Sequence, residues 1–115
     1  MADCIFCGIA KGTIDTTVVK RAPGLLAFRD VQPVAPTHVL VITVEHMSAV
    51  RDAKGEAGQA LLGRLLAFAA EVAADLGLDA GGYRLVANTG KDGGQTVDHL
   101  HLHLLGGRRM TWPPG

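Results

Sequence analysis

The stretch DHLHLHLL, residues 98–105, alternates histidine with leucine. A period of two is the side-chain repeat of a β-strand, so the imidazoles of His99, His101 and His103 should share one face while the leucines share the other. We therefore predict a last strand over residues 97–105. It places three of the five histidines of the chain in one row.

The spacing of this row limits what it can do. Neutral imidazole serves as a nucleophile, a general base or a metal ligand. The two ends of the row, His99 and His103, would lie about 13 Å apart along a strand. That is too far for all three rings to share one zinc ion ~2.1 Å from each nitrogen, although two of them could. A polar face in water would more often carry Thr, Lys or Glu. The row therefore favours three contact points along a bound substrate.

A glycine-rich loop, GKDGGQT at residues 90–96, comes directly before the row. Such a loop offers backbone N–H groups that accept phosphate oxygens, although an ordinary turn has the same composition. Beside three histidines it indicates phosphate chemistry. A nucleophilic imidazole would form a phosphohistidine-type intermediate that water then hydrolyses.

Apolar runs and turn signals predict an α+β fold, in which an antiparallel sheet of about five strands carries one long helix and a short helix. The long helix is predicted over residues 56–76 and is closed by Gly77. The predicted strands cover residues 17–19, 25–28, 38–43, 83–87 and 97–105, and the first two form a hairpin around the turn at residues 22–24. The apolar stripe of the helix comprises Leu61, Leu62, Leu65, Leu66, Phe68, Ala69, Val72 and Leu76.

Size and charge narrow the function classes. A chain of 115 residues predicts a single domain over residues 1–115. The 11 basic and 11 acidic residues cancel, so we expect neither nucleic acid nor an anionic membrane as a partner. We find no leader-like start and no apolar run near the ~18 residues of a membrane span, which favours the cytoplasm. Trp112 in the proline-rich tail should dock on a partner or on its own chain.

The two cysteines, Cys4 and Cys7, form a C-x-x-C pair. In a reducing compartment such a pair is metal-bound, redox-active or simply buried. The redox interpretation is the weaker one because nothing near the pair resembles a thioredoxin-like βαβ unit. A tetrahedral zinc site would need further donors from elsewhere in the chain.

The motif at residues 99–105 resembles the histidine-triad (HIT) pattern, His-φ-His-φ-His-φ-φ with φ apolar. The likeness extends over DCIFCGIAKG near the start, LLAFRDVQPVAPTHVLVI in the middle and GGQTVDHLHLHLLGGRRMTWPPG at the end. Together these segments resemble the Hint branch, the histidine-triad nucleotide-binding proteins. The resemblance implies a HIT-like fold, a homodimer and hydrolysis or transfer at the α-phosphate of a purine nucleotide such as AMP or GMP.

The resemblance also implies catalytic roles. His101, the middle histidine, would attack phosphorus and carry the nucleotidyl group, and His103 would contact the α-phosphate. His38 would belong to the same cluster, although on the residues alone it could equally be a satisfied core histidine. Thr96 would help to protonate or orient the departing amine.

A nucleotide pocket follows from the same likeness. Asp30 would receive the ribose hydroxyls, although a turn residue bonded to its own backbone is the alternative. Asn88 would approach the phosphate and ribose, and Gly94, Gln95 and Thr96 would lie along the phosphate. Without the resemblance, several of the apolar residues would be assigned to the core. The apolar base pocket would be formed by Ile5, Phe6, Ile9, Ile14, Phe28 and Val31.

For the cysteine pair the resemblance implies a structural zinc ion. Its ligands would be Cys4, Cys7, His46 and His99, with no position open for water. Two positions depart from the likeness. Asp98 stands where animal Hint proteins have Tyr, and Thr111 stands where the tail motif would have His.

The resemblance favours a purine nucleoside phosphoramidase, which cleaves AMP or GMP from an amine through a nucleotidyl-His101 intermediate. P–N cleavage suits a site that delivers a proton to nitrogen. A Fhit-type dinucleoside polyphosphate hydrolase is the enzymatic alternative, and the WPPG end argues against it. A nucleotide-binding or scaffold module without turnover is the non-enzymatic alternative.

Overall fold

In the computed structural model, which describes residues 4–115, one antiparallel sheet of five strands has a short helix on one face and a long helix on the other. The strand order is β1-β2-β3-β5-β4. The predicted α+β class is therefore confirmed. The elements are α1 (Ile5–Lys11), β1 (Val18–Ala22), β2 (Leu25–Arg29), β3 (Thr37–Thr43), a 3-10 turn (Val50–Asp52), α2 (Gly55–Asp75), β4 (Tyr83–Val86) and β5 (His101–Gly106).

The central strands bury both of their faces. In β3, Val39 and Val41 point into a core shared with α2, whereas Leu40 and Ile42 point into a second core shared with Phe6 of α1. This double coverage explains why the run HVLVIT is apolar throughout rather than alternating. The register pairs Leu40 with His103 and Ile42 with His101, so these histidines lie on the α1 face. One face of the sheet is therefore covered by α2, and the other carries α1 and the two histidines. We call the second the histidine face.

The last strand starts later than predicted. It begins at His101, and residues 97–99 form a bend in front of it. The partner strand explains the difference, because β3 ends at Thr43 and the N–H of Leu100 donates to the carbonyl of Met47, beyond the end of that strand. Residues before His101 thus have no strand to pair with. His99 consequently leaves the row, although the leucines do share the opposite face as expected.

Helix α2 packs its apolar stripe on the sheet, with Leu65, Phe68 and Val72 buried there. Leu66 is 51% exposed, so this member of the predicted stripe lies outside the core. Contrary to the sequence-based expectation, the helix is long and apolar enough to meet a membrane-span criterion, with a mean hydropathy of 1.2. A core helix of a folded domain meets the same criterion, and no second helix of residues 4–115 does.

Candidate active site

A cavity of about 310 Å³ opens on the histidine face, between α1 and the ends of β2 and β5. Ten of the residues predicted to bind a nucleotide line it, and so do residues that the sequence did not indicate. The predicted lining residues are Ile5, Phe6, Ile9, Ile14, Phe28, Asp30, Val31, Thr96, His101 and His103. The additional ones are Asp15, Thr16, Arg29, Gln32, Leu40 and Val97.

His101 lines this cavity, and one of its ring nitrogens is already hydrogen-bonded to the backbone. Its Nδ1 lies 2.6 Å from the backbone carbonyl of His99. A carbonyl only accepts, so Nδ1 carries the proton and Nε2 keeps the free lone pair. The ring is 5% exposed, and the Phe6 ring packs against it edge-on at 5.0 Å between centroids. The ring is therefore held in one orientation, with Nε2 as the nitrogen left free for reaction.

His38 and His103 form a directional hydrogen-bond relay behind the pocket. The Val34 N–H donates to His38 Nδ1 at 3.1 Å, which places the proton of a neutral His38 on Nε2. That Nε2–H donates to His103 Nδ1 at 2.9 Å and lies 3.3 Å from Asp30 Oδ2. His103 in turn must carry its own proton on Nε2. The relay thus leaves His103 as a hydrogen-bond donor beside His101.

Burial keeps both relay histidines neutral. Desolvation lowers the pKa of His38, partly opposed by the negative charge of Asp30. Desolvation, followed by the neighbouring His101 and His38, lowers the pKa of His103 to about 4. At neutral pH the His103 ring therefore acts through its N–H dipole rather than as a cation.

Among residues 4–115, two groups of side chains have the composition of a metal site, and one of the two has suitable lone pairs. The first joins Asp30, His38 and His103, whose donor atoms lie within 4.8 Å of one another. To bind a metal through Nε2, His38 would need its proton on Nδ1, directly facing the Val34 N–H. Two donors in contact repel, so this group does not fit a metal ion.

The second group, Cys4, Cys7, His46 and His99, fits a tetrahedral ion. His99 Nδ1 lies 3.3 Å from Cys4 Sγ and 3.6 Å from Cys7 Sγ, and His46 Nδ1 lies 3.3 Å from Cys7 Sγ. Such separations match those between ligands of one zinc ion with bonds of about 2.1–2.3 Å. We call these four residues the Cys-His cluster.

His99 is oriented toward this cluster by the backbone. Its Nε2–H donates to the Thr43 carbonyl at 2.6 Å, so the Nδ1 lone pair faces the sulfur atoms. The side chain is fully buried, and burial lowers its pKa. Burial and the adjacent Cys4 raise the pKa of the Cys7 thiol, so a cation is what would stabilise the thiolate there.

The local sequence explains why the thiols of Cys4 and Cys7 lie next to each other at the start of α1. Cys4 is the N-cap of α1, and its sulfur accepts from the Cys7 N–H at 3.4 Å. One helical turn therefore separates the two thiols and brings both to the same end of the helix. The same turn buries Phe6 between the Cys-His cluster and His101, with its ring also 5.9 Å from that of His99.

The remaining predicted contacts, Asn88, Gly94 and Gln95, do not line the cavity. The Gln95 amide holds its own loop instead: it accepts from the Gly90 N–H at 2.9 Å and donates to the Ser48 carbonyl at 2.6 Å. Asn88 is half-buried and Gly94 is exposed with a positive φ of 76°. The sequence missed the role of the Val34 N–H because a backbone donor has no residue signature. Leu40 was detectable, since it lies two positions after His38 on the same strand face.

Comparison with known proteins identifies the class. Residues 11–110 match the model of the HIT domain family, and the chain belongs to that family. A HIT family hydrolase from Legionella pneumophila has the same fold, with a TM-score of 0.93 at 50% identity over 98% of this chain and 100% of that one.

Two further relatives cover most of the chain. A 14 kDa zinc-binding protein of Zea mays is 48% identical over 96% of this chain and 87% of its own length. The structure of a histidine triad nucleotide-binding protein from Candida albicans gives a TM-score of 0.82 at 30% identity, covering 96% of this chain and 83% of that one.

Proposed function

We propose that this protein is a purine nucleoside phosphoramidase of the Hint branch, which hydrolyses the P–N bond of AMP or GMP phosphoramidates. The observation that carries the proposal is the fixed tautomer of His101: Nδ1–H is bound to the His99 carbonyl, and Nε2 is free in a pocket shared with His103. A nucleophile held this way reacts without first losing a proton.

The chemistry runs through two displacements. The Nε2 lone pair of His101 attacks the α-phosphorus, the P–N bond breaks, and the leaving amine takes up a proton. The positive charge on the new phosphoimidazole is stabilised by the His99 carbonyl through Nδ1–H. The His103 Nε2–H donates to a non-bridging oxygen, and the Thr96 hydroxyl at the pocket wall orients the proton for the amine. Water then attacks the phosphorus, the bond from phosphorus to His101 Nε2 breaks, and the proton that water loses replaces the one the amine took up, so the nucleotide and the free imidazole are released.

The rest of the pocket suits a nucleoside. Ile5, Ile9 and Phe28 supply an apolar slot for a flat base, and Asp30 lies where a carboxylate can accept two ribose hydroxyl protons. Two relatives, a HIT family hydrolase and a histidine triad nucleotide-binding protein, support hydrolysis and nucleotide binding. The WPPG tail favours the Hint branch over a Fhit-type hydrolase.

We further propose that the Cys-His cluster holds a structural zinc ion. The four donors, their separations and the tautomer of His99 support it, as does the zinc-binding name of the maize relative. Bound by Cys4, Cys7, His46 and His99, the ion would have no position left for water. It would fix the start of α1 and the bend that carries the His99 carbonyl.

A homodimer remains part of the proposal. Trp112 is 82% exposed, so its indole does not dock on its own chain, although the neighbouring Thr111 carbonyl accepts from Arg84 Nη2 at 2.8 Å. The exposed indole of Trp112 and the exposed Leu66 of α2 are apolar side chains of the kind that a second copy would cover. Sedimentation or light scattering of the purified protein tests this assembly directly.

The test of function is steady-state hydrolysis of a fluorogenic adenosine phosphoramidate by the wild type and by His101→Ala, with diadenosine polyphosphate run beside it. We expect turnover of the phosphoramidate to be lost in His101→Ala while AMP binding, followed by calorimetry, is retained. Faster turnover of diadenosine polyphosphate would indicate the Fhit-type activity. AMP binding without turnover of either substrate would indicate a binding module.

A further inference from the structure

Arg108, in the turn after β5, binds the loop that precedes β3. Its Nε and Nη2 groups donate to the Val34 carbonyl at 3.2 and 3.0 Å, and the N–H of the same Val34 donates to His38 Nδ1 at 3.1 Å. We propose that Arg108 is a positioning residue of the active site. It holds Val34 so that His38 keeps its proton on Nε2 and His103 presents its own Nε2–H to the substrate phosphate.

Close packing makes the Arg108 turn and the Val34 loop one unit. Gly107 has a φ of 89°, and a Cβ placed there would lie 2.8 Å from Cβ of Pro36. Only glycine allows this approach together with this conformation. Pro33 and Pro36 flank Val34 in the sequence and restrict the loop backbone. The guanidinium therefore meets a restricted segment, and its two bonds, which converge on one oxygen, hold the Val34 carbonyl in place.

The tautomers carry this orientation into the pocket. A neutral imidazole has one N–H and one lone pair, so the donor at Val34 determines both ends of His38. His38 Nε2–H then determines both ends of His103 through the 2.9 Å bond. If the His38 proton moved to Nδ1, His103 could turn a lone pair toward an anionic phosphate oxygen. The ring would then repel the group it is positioned to hold.

The contact of His103 with phosphate rests on the proposed function, whereas the tautomers of His38 and His103 do not. Arg109 provides the matched control, because it is an adjacent, exposed arginine of the same charge whose side chain takes no part in the relay. Only its carbonyl is involved, as an acceptor from Arg108 Nη1 at 3.1 Å.

The experiment compares the wild type with Arg108→Gln, Arg108→Lys and Arg109→Gln. The ring nitrogens of His38 and His103 are followed by ¹⁵N NMR at neutral pH, and kcat/KM is measured for the adenosine phosphoramidate. In Arg108→Gln we expect the two nitrogen shifts of His38 to move toward each other and kcat/KM to fall about three- to tenfold, as the loss of modest hydrogen bonds allows. Arg108→Lys, with a single point donor, should restore part of both signals.

If the ¹⁵N shifts of the His38 and His103 rings stay at their wild-type values in Arg108→Gln, the inference is overturned. Changes of the same size in Arg109→Gln would also overturn it. Val34→Pro removes the N–H donor itself and reads the same signals if Arg108→Gln does not fold; unchanged His38 shifts in that variant would overturn the relay. A wild-type protein without phosphoramidate turnover would contradict the proposed function. The NMR comparison would still decide the role of Arg108.

Discussion

The backbone carbonyl of His99 lies 2.6 Å from Nδ1 of His101, while the His99 side chain reaches the two cysteine sulfurs at 3.3 and 3.6 Å. One residue thus belongs to the Cys-His cluster through its ring and to the wall of the histidine-lined cavity through its peptide. Any rotation of His99 would move the acceptor that holds His101. The orientation of the His101 ring is therefore tied to a cluster outside the pocket that His101 lines.

The first prediction concerns the tautomer of His101. At neutral pH its ring should carry the proton on Nδ1, because the His99 carbonyl accepts only from that nitrogen. Two-bond ¹H–¹⁵N correlation spectra report this directly, and the signals are assigned by their loss in His101→Gln. Observation of the proton on Nε2 would contradict the proposed nucleophile, since its lone pair would then face a carbonyl oxygen.

The second prediction is a pH-dependent stability that originates in His103. Its pKa is about 4 in the folded protein and near 6.5 when unfolded, so the unfolded chain binds more protons between these values. The free energy of unfolding should therefore fall as the pH drops from 6.5 toward 4, and the His103 contribution should be constant above 6.5. After allowance for solvent screening of this partly exposed ring, we expect roughly 1–2 kcal/mol.

His103→Gln provides the comparison for that effect. Urea denaturation of both proteins at several pH values should give a shallower decline for the variant. His38, whose pKa burial also lowers, contributes in the same window and remains in both proteins. Parallel curves for the two proteins would show that His103 titrates normally in the folded state.

A third prediction is that the protein binds about one zinc ion per chain and loses it in Cys7→Ser. Removal by a chelator should lower the free energy of unfolding by about 3 to 4 kcal/mol relative to protein in excess zinc. Because Cys4 and Cys7 are the only cysteines, a thiol reagent should react with both after chelation and with neither before it.

His38→Gln is the control for metal binding, because His38 belongs to the relay and cannot offer Nε2 to a metal while Val34 holds its Nδ1. It should retain zinc at the wild-type ratio, as measured by atomic emission. If His38→Gln lost zinc and Cys7→Ser kept it, the ion would belong to the group of Asp30, His38 and His103 rather than to the Cys-His cluster.

A fourth prediction uses two glycines of α2 that differ only in their surroundings. A Cβ at Gly58 would lie 2.2 Å from the Ala53 carbonyl carbon, whereas a Cβ at Gly63 meets nothing within 4 Å. We expect Gly58→Ala to destabilise the protein by about 1–3 kcal/mol through overpacking. Gly63→Ala should stabilise it by roughly 0.5–1 kcal/mol through helix propensity. Thermal denaturation of both variants measures the contrast, and a stabilised Gly58→Ala would refute the contact.

The sequence predicted those elements whose side chains follow a regular period. The alternation at His101 and His103 gave the final strand, and the Ala/Leu stripe gave α2 within one residue at each end. Both patterns depend on which face of an element is buried, and burial is what periodicity reports.

Other features depended on where a partner strand or loop ends. His99 left the row because β3 stops at Thr43, which no local pattern around His99 encodes. The relay through Val34 depends on a backbone N–H, which has no residue signature. The Gln95 amide, which we predicted to lie along the phosphate, instead bonds within its own loop. Such choices are made by tertiary contacts between segments far apart in the chain.

The sheet separates two apolar cores, and substitutions in these two cores affect different properties of the protein. Substitutions around Phe68 and Val72 alter how firmly α2 is seated, while those around Phe6 and Phe28 alter the walls of the pocket. Selection can therefore accumulate robustness on one side of β3 and explore new substrates on the other. A variant library confined to the pocket side could be built on a stabilised helix side with little interference between them.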